Sequence, residues 1–363
     1  MYSVISANRS SERAPKNWRV FEKQALEKYF GKVIDVNGED GTSVLDCYSE
    51  YKDSIKYIRW YPDPELLSKE EYSGILKQSS LIGQIPYLIN SPEGFINVQS
   101  KDEAFRLWKK NNINCPNYFT FISIREFFSK FEDRNIEYPF LIRLNNDVGG
   151  SGSYLVKNKF DLCKNLIRLI RDFRNHKRKN IGISTKMICV EYINTINSKE
   201  GVNVSYRIHV SGNKIISGYA RISDSKDWVA ITGKFTHEKS DIWLKYNMIC
   251  EELCRENEKE ICKAVQSLNL NCQGVDLIIE NGSNKVYFIE VQPTYASGYA
   301  EFGYCGYYPP FYNPSYPELV KFLIEEKKYL MEKIPNYYNN WLDKKTHFDL
   351  VYKNLAEYLN VRS

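Results

Sequence analysis

The stretch from Cys272 to Pro293 constrains this chain more than any other. Gly274–Ile279 and Val286–Val291 are two β-rich runs. The link between them, Asn281-Gly282-Ser283-Asn284, is turn chemistry, because Asn and Gly tolerate positive φ. An antiparallel hairpin is expected. Side chains alternate along a strand, so Glu290 and Gln292 share a face. A link of about five residues brings Asp276 opposite Glu290. Two carboxylates about 4 Å apart repel by roughly 4 kcal/mol at an effective dielectric near 20. Strands rich in Val, Ile and Leu need something to offset that repulsion. A hard cation with oxygen ligands does so, and Mg²⁺ bridging to phosphate oxygens suits a site with few protein ligands. The plainer alternative is a half-exposed hairpin whose polar face looks at water.

With 363 residues the chain is long enough for two or three lobes. Hydrophobic content of 43% and charged content of 26% are those of a soluble globular protein. A net charge of +5 is mild and argues against a nucleic-acid binder. The one basic run, Arg171–Lys179, reads as the exposed end of a helix rather than a polyanion site. Nine cysteines are scattered without a Cys-x-x-Cys pair, and there are only four histidines, so no zinc site is expected. No secretory signal and no apolar run of bilayer length stand out, so reduced thiols and a cytoplasmic, non-membrane protein are expected.

The chain begins with strand-like Tyr2–Ala7, helical Val20–Phe30, strand-like Lys32–Val36, a third strand over Ser43–Cys47 and another over Ile55–Trp60. That order predicts a small α/β lobe of parallel strands, with no Gly-x-Gly-x-x-Gly loop for a dinucleotide. Leu66–Leu81 reads as a helix and Ile85–Ile89 as a short strand. Ser100 is placed to cap a helix over Lys101–Asn111. The apolar strand Tyr138–Leu144 carries Arg143. The loop Gly149-Gly150-Ser151-Gly152 follows, and its backbone N–H groups could meet phosphate oxygens or simply form a flexible turn. Gly212-Asn213 joins two strands carrying Arg207, His209 and Arg221. Simple alternation puts Arg207 and Arg221 on opposite faces unless a bulge intervenes. Ile242–Leu268 reads as one long helix. Tyr295–Tyr316, rich in Tyr and Gly, could line a pocket or cover a sheet edge. Two further helices, Glu318–Lys333 and Phe348–Leu359, are expected to pack on the outside.

In this order the features resemble the ATP-grasp superfamily, and within it the RimK-type carboxylate–amine ligases. The likeness spans about residues 97–300. Ser100-Lys101-Asp102-Glu103-Ala104 with Ile113-Asn114-Cys115-Pro116 resembles the helix that opens the fold, whose Lys reaches the nucleotide phosphates. Tyr138 to Gly152 resembles the second phosphate-binding strand and its flap, with Arg143 where the family usually has Lys; Arg keeps the charge but offers a planar fork. Cys189-Val190-Glu191-Tyr192-Ile193 resembles the hinge that holds adenine through main-chain groups. Asn197 is the candidate for the ribose. Tyr206-Arg207 resembles the family's Asp-Ile-Arg strand, with Ser205 at the Asp position, and Arg221 matches a second basic position. Gly274-Val275-Asp276 and Ile289-Glu290-Val291-Gln292-Pro293 resemble the Asp…Glu-x-Asn metal signature, with Gln292 for Asn.

The resemblance implies an α/β (α+β) chain of ATP-grasp fold. Residues 1–95 would be a small N-terminal α/β lobe, 96–310 the ATP-grasp domain and 311–363 a helical C-terminal extension. It implies ATP and Mg²⁺, with Mn²⁺ able to replace it. Lys101, Arg143, Gly149, Gly150, Ser151 and Gly152 would hold the phosphates, and Glu191, Tyr192, Ile193 and Asn197 the nucleoside. Asp276, Glu290 and Gln292 would hold the metal, and Arg207 and Arg221 would act in catalysis. A carboxylate attacks the γ-phosphorus, an acyl phosphate forms with release of ADP, and an amine displaces phosphate to give an amide. The substrates would be small-molecule or peptide acids and amines. A small-molecule kinase, a degenerate ATP-binding module and a Tyr-rich interaction protein are the alternatives.

Overall fold

The computed structural model describes residues 2–8, 16–37, 42–61, 69–83, 85–92, 94, 98, 100–133, 136–145, 152–178, 186–224, 240–292, 327–334 and 336–360. The described strands form three sheets. Strands β1 (Val4–Asn8), β2 (Val33–Asn37) and β3 (Tyr57–Tyr61) make a parallel sheet in the order β2-β1-β3. Alternation splits its side chains. Val4 and Val33 pack with Ala25, Leu26 and Phe30 of helix α1 (Lys16–Phe30), while Ile5, Ala7, Ile58 and Trp60 pack on the other side.

The expected strand at Ser43–Cys47 is instead part of a helix, α2 (Thr42–Tyr51). Val44 and Cys47 are buried in the same cluster as Ile5 and Trp60, with Tyr48 and Tyr51 packed against it. Those positions repeat at helical spacing, a pattern that a short apolar run does not reveal by itself. Helix α3 (Lys69–Leu81) follows. The expected strand at Ile85–Ile89 is reduced to one bridge between Ile58 and Tyr87.

Helix α4 (Lys101–Lys110) leads into an antiparallel sheet, β4 (Tyr118–Phe121), β7 (Met187–Glu191), β5 (Phe140–Leu144) and β6 (Ser153–Val156), in the order β4-β7-β5-β6. Helices α5 (Ile124–Glu132) and α6 (Lys159–Arg178) belong to this lobe. Phe127, Leu162, Leu166, Leu169 and Phe173 share a core with Phe140 and Ile142.

The third sheet is antiparallel, ordered β10-β9-β11-β12, with short β8 (Ile196–Asn197) on β9. It comprises β9 (Val202–Ser211), β10 (Lys214–Asp224), β11 (Cys272–Ile279) and β12 (Val286–Gln292). Val204, Tyr206, Ile208, Ala220, Ile222, Val275 and Leu277 line its apolar face. Cys250, Leu253, Cys254, Ile261, Ala264 and Val265 cover that face. These come from two helices, α7 (Ser240–Glu256) and α8 (Glu258–Gln266), rather than one, with the break at Asn257. There Asn257 Nδ2 donates back to the Leu253 carbonyl (3.2 Å). Such back-bonding competes with a continuous helix. Gly218 lets α7 approach, since a Cβ there would lie 3.0 Å from Cys254 Sγ.

Of the two helices expected on the outside, Glu318–Lys333 lies outside the described residues as far as 326 and is exposed at Lys328, Tyr329, Glu332 and Lys333, whereas the second does not pack on the outside. Helices α9 (Lys327–Lys333) and α10 (Tyr337–Leu342) precede α11 (Lys344–Tyr358). In α11 Phe348, Val351, Tyr352 and Leu355 are buried against α1, β1 and Ile216 of β10. On one side Tyr352 donates to Glu22 (2.7 Å), which is already bound by both N–H arms of buried Arg59 (2.9 and 3.0 Å). On the other, Ser211 donates to the Val351 carbonyl (2.7 Å). This helix is wedged between the N-terminal lobe and the third sheet. A tail read only for its periodicity shows an apolar stripe, not that both of its flanks find partners.

Candidate active site

β9 alternates strictly. Val204, Tyr206, Ile208 and Val210 face the core, so Ser205, Arg207, His209 and Ser211 share the other face, and all eight are buried. The ladder sets the neighbours of this polar row. Arg207 stands opposite Asp276 on β11, and Asp276 opposite Glu290 on β12. Gly274 stands opposite Gln292 and His209.

Arg221 joins the row through a register shift. The β9–β10 ladder steps between Ile215 and Ser217, leaving Ile216 as an extra residue. After the step Arg221 stands opposite Ser205, on the same face as Arg207. This bulge removes the conflict left by simple alternation.

Asp276 lies between the two arginines. Arg207 donates Nε to Oδ1 (2.7 Å) and Nη2 to Oδ2 (2.8 Å). Arg221 donates Nη2 to Oδ1 (2.9 Å) and Nη1 to Oδ2 (3.1 Å). Burial pushes the Asp276 carboxyl upward, but the two guanidiniums outweigh it and hold the group below its ordinary range. Glu290 meets Lys101 Nζ at 3.1 Å, with Lys101 only 5% exposed.

The repulsion expected between Asp276 and Glu290 is therefore offset by the protein's own cations, and the hairpin needs no metal to be stable. Three cationic side chains face two carboxylates, so the cluster keeps a net positive charge suited to an anionic ligand.

Lys101 opens α4 beside β5, and Asn145 holds the two together. The Lys101 N–H donates to the Asn145 carbonyl (3.3 Å). The Asn145 amide donates to Ser100 Oγ (2.9 Å) and Asp102 Oδ1 (2.7 Å) and accepts from the Asp102 N–H (3.2 Å). Ser100 does not cap the helix with its side chain; its hydroxyl turns to Asp102 instead. Arg143, two residues before Asn145, shares a strand face with Leu141, which packs on the cluster containing Ala104, Phe105 and Trp108 of α4.

A hard divalent cation takes carboxylate and amide oxygens. Asp276 and Glu290 bring two carboxylates to one face of adjacent strands, and Gln292 lies two positions beyond Glu290 on β12. However, both Asp276 oxygens already accept two N–H bonds each, so a cation gains Asp276 only if a guanidinium leaves it. Among the described residues no three His, Cys, Asp or Glu side chains are grouped to hold a metal. The donor set fits Mg²⁺ on condition that an anionic ligand draws the arginines away.

No family model matches the sequence, and no curated protein does. Solved structures do resemble the fold. The N5-carboxyaminoimidazole synthetase of Staphylococcus aureus complexed with ADP aligns at TM-score 0.52 and 12% identity, over 83% of this chain and 73% of that one. The L-amino acid ligase of Bacillus licheniformis aligns at 0.50 and 13%, over 81% and 69%. The biotin carboxylase domain of Hydrogenobacter thermophilus 2-oxoglutarate carboxylase aligns at 0.53 and 12%, over 81% and 64%.

The chain has the ATP-grasp fold. The remaining residues singled out in the sequence find their places in it. Glu191 ends β7; its N–H donates to the Asn117 carbonyl (2.8 Å) and its carboxylate accepts from the Asn117 N–H (2.9 Å). Tyr192 is half-buried and Ile193 buried just beyond the strand. Asn197 does not offer its side chain to a ribose as placed. Its oxygen accepts from the Lys199 and Glu200 N–H groups (3.1 and 3.3 Å), and its amide donates to Tyr246 (3.2 Å). A short polar side chain after a strand is as apt to close a turn as to meet a ligand. Gly152 has φ +58 before β6. Gly149, Gly150, Ser151 and the Tyr295–Tyr316 stretch lie outside the described residues. Asn145 was not singled out from the sequence, because an Asn beside a Gly-rich loop looks like turn chemistry. His209 was read on its strand without a role, although the polar alternation of β9 is its signal.

Proposed function

We propose that this chain is an ATP-dependent carboxylate–amine ligase of the RimK type. The observation that carries the reading is the buried row Arg221–Arg207–Asp276–Glu290, closed by Lys101 from the neighbouring helix. A polyphosphate is the anion such a row suits. Lys101 and Arg143 take the nucleotide phosphates, and the main chain at Glu191–Ile193 takes the adenine edge. Asp276, Glu290 and Gln292 would hold Mg²⁺, which would supply neutralisation of phosphate charge. Arg207 and Arg221 stabilise the charge that develops as a substrate carboxylate attacks the γ-phosphorus. The resulting acyl phosphate reacts with an amine to give an amide, releasing phosphate. Positioning and electrostatics carry this chemistry, so no Ser or Cys nucleophile is required. The neighbours' ADP and MgADP complexes support nucleotide use. The substrates fall in the class of small or peptide acids and amines.

The test is ADP release with panels of acids and amines, together with calorimetric binding of MgADP. Turnover that needs both an acid and an amine and disappears in Asp276→Asn and Glu290→Gln supports the ligase. A stable phosphorylated product without an amine requirement points to a kinase. A second reading is favoured by the full engagement of Asp276 and by Arg143 and Ser205 at family Lys and Asp positions: a nucleotide-binding module without turnover. It requires MgADP binding with no ADP release under any mixture.

A further inference from the structure

Behind the arginine row the same sheet face holds two imidazoles that the proposed chemistry does not use. His209 Nδ1 lies 2.8 Å from Ser217 Oγ, and Ser217 Oγ lies 3.2 Å from His347 Nδ1 on α11. The rings are 5.4 Å apart at 87°, and all three side chains are fully buried. A serine hydroxyl has one proton to give. With neutral rings it donates to one Nδ1 and accepts from the other, so the two histidines take opposite tautomers. The chain of bonds therefore has a direction, and changing one end alters the other.

His209 is tied to Arg207 by shape. The two stand two residues apart on one face of β9 and lie together over Gly274. A Cβ on Gly274 would come within 3.3 Å of His209 Cδ2 and 3.6 Å of Arg207 Cδ. Both side chains thus rest side by side on the same bare backbone, where the space above Gly274 is shared between the imidazole and the Arg207 stem. The extra residue that turns Ser217 toward His209 is also held from the C-terminal region, where Asn340 Nδ2 donates to the Ile216 carbonyl (3.0 Å).

We propose that His347, acting through Ser217 and His209, is a positioning residue for Arg207, so that the C-terminal helix sets the geometry of the candidate phosphate site. The nucleotide arm of the test rests on the ligase reading; the stability arm does not. In the full chain, a double-mutant cycle in urea pairs His347→Ala with Arg207→Met. The relay requires the two to be coupled by about fivefold or more in the unfolding equilibrium constant. Additive effects overturn it. If His347→Ala does not fold, Ser217→Ala takes its place in the cycle under the same criterion.

In the second arm, calorimetry compares Mg²⁺ with ADP and with β,γ-imido-ATP. His347→Ala is expected to weaken the triphosphate analogue about tenfold while leaving ADP within about twofold. His347→Asn, whose amide can replace Nδ1, is expected to restore it. Equal losses for both nucleotides, or no rescue by Asn, mark His347 as merely structural and overturn the proposal. If the wild type binds neither nucleotide, the ligase reading fails and the urea cycle alone decides the relay.

Discussion

Arg221 and Asp276 are separated by the whole width of β9, yet they share two hydrogen bonds of 2.9 and 3.1 Å. Arg207, on the strand between them, binds the same carboxylate. One extra residue in β10 makes this possible. Were Ile216 paired with His209 in a regular ladder, Arg221 would stand opposite Val204 and turn into the apolar face under α7.

Deleting Ile216 removes the bulge but leaves Ser217 opposite His209 and Arg221 opposite Ser205, so the arginine is expected to stay in the row. In a deletion variant that still melts cooperatively, the affinity for Mg²⁺ with β,γ-imido-ATP should stay within about threefold of wild type, whereas Arg221→Met should cost about tenfold. Adding Arg221→Met to the deletion should then cost the same tenfold. Calorimetry on the three variants checks it.

The full engagement of Asp276 predicts a linkage between metal and nucleotide. In the free protein Mg²⁺ competes with two guanidiniums for one carboxylate, so it should bind weakly alone and more tightly once phosphates occupy the arginines. Arg221→Met removes two of the four N–H donors on Asp276. Mg²⁺ alone should then bind about tenfold tighter while MgADP binds more weakly. A variant in which both affinities move the same way removes the exchange model.

Asp276 should also govern the acid limb of stability. Its folded-state pKa lies below the unfolded one, so its contribution is complete above the unfolded carboxyl range, near pH 4, and is lost as pH falls through the folded value. Asp276→Asn leaves two buried guanidiniums without their anion and should cost about 3–5 kcal/mol at neutral pH. The gap between wild type and variant should close on acidification, because a protonated Asp276 resembles the variant. Urea midpoints from pH 7 downward give the comparison.

Asn145 fastens the start of α4 to the end of β5 with its side chain and its carbonyl. Asn145→Ala should cost about 1–3 kcal/mol, since it removes three side-chain hydrogen bonds to half-buried Ser100 and Asp102. It should also weaken MgADP binding, because Lys101 is the next residue and rides on that contact. Unchanged binding with the expected loss of stability would confine Asn145 to a structural role.

Some of this was legible in the residues alone. The hairpin at 272–293 carried its own turn chemistry, and its register followed from link length, so Asp276 and Glu290 could be placed opposite each other. Lys101 at the start of an amphipathic helix and the alternation of β9 were equally local. Ser43–Cys47 was misread because a short apolar run supports either period, and only contact with β1 and β3 selects the helix. The break at Asn257 goes with its side chain bonding back to the Leu253 carbonyl, which periodicity does not show. The partners of Asn197, the Lys199 and Glu200 N–H groups and Tyr246, were not legible, since a side chain's partners depend on which groups fold toward it.

What the amino-acid order determined by itself is the set of short-range elements and the charge they carry: strand faces, turn positions, one helix start and a cationic row seeded with two acids. Tertiary structure alone decided how that charge is balanced. Lys101 meets Glu290, and Arg207 and Arg221 meet Asp276, across strands and lobes that local sequence does not connect. The buried guanidinium–carboxylate contacts depend on a one-residue bulge and on a C-terminal helix wedged behind it. Pairing energies of this kind arise only when distant segments exclude water from the same small volume.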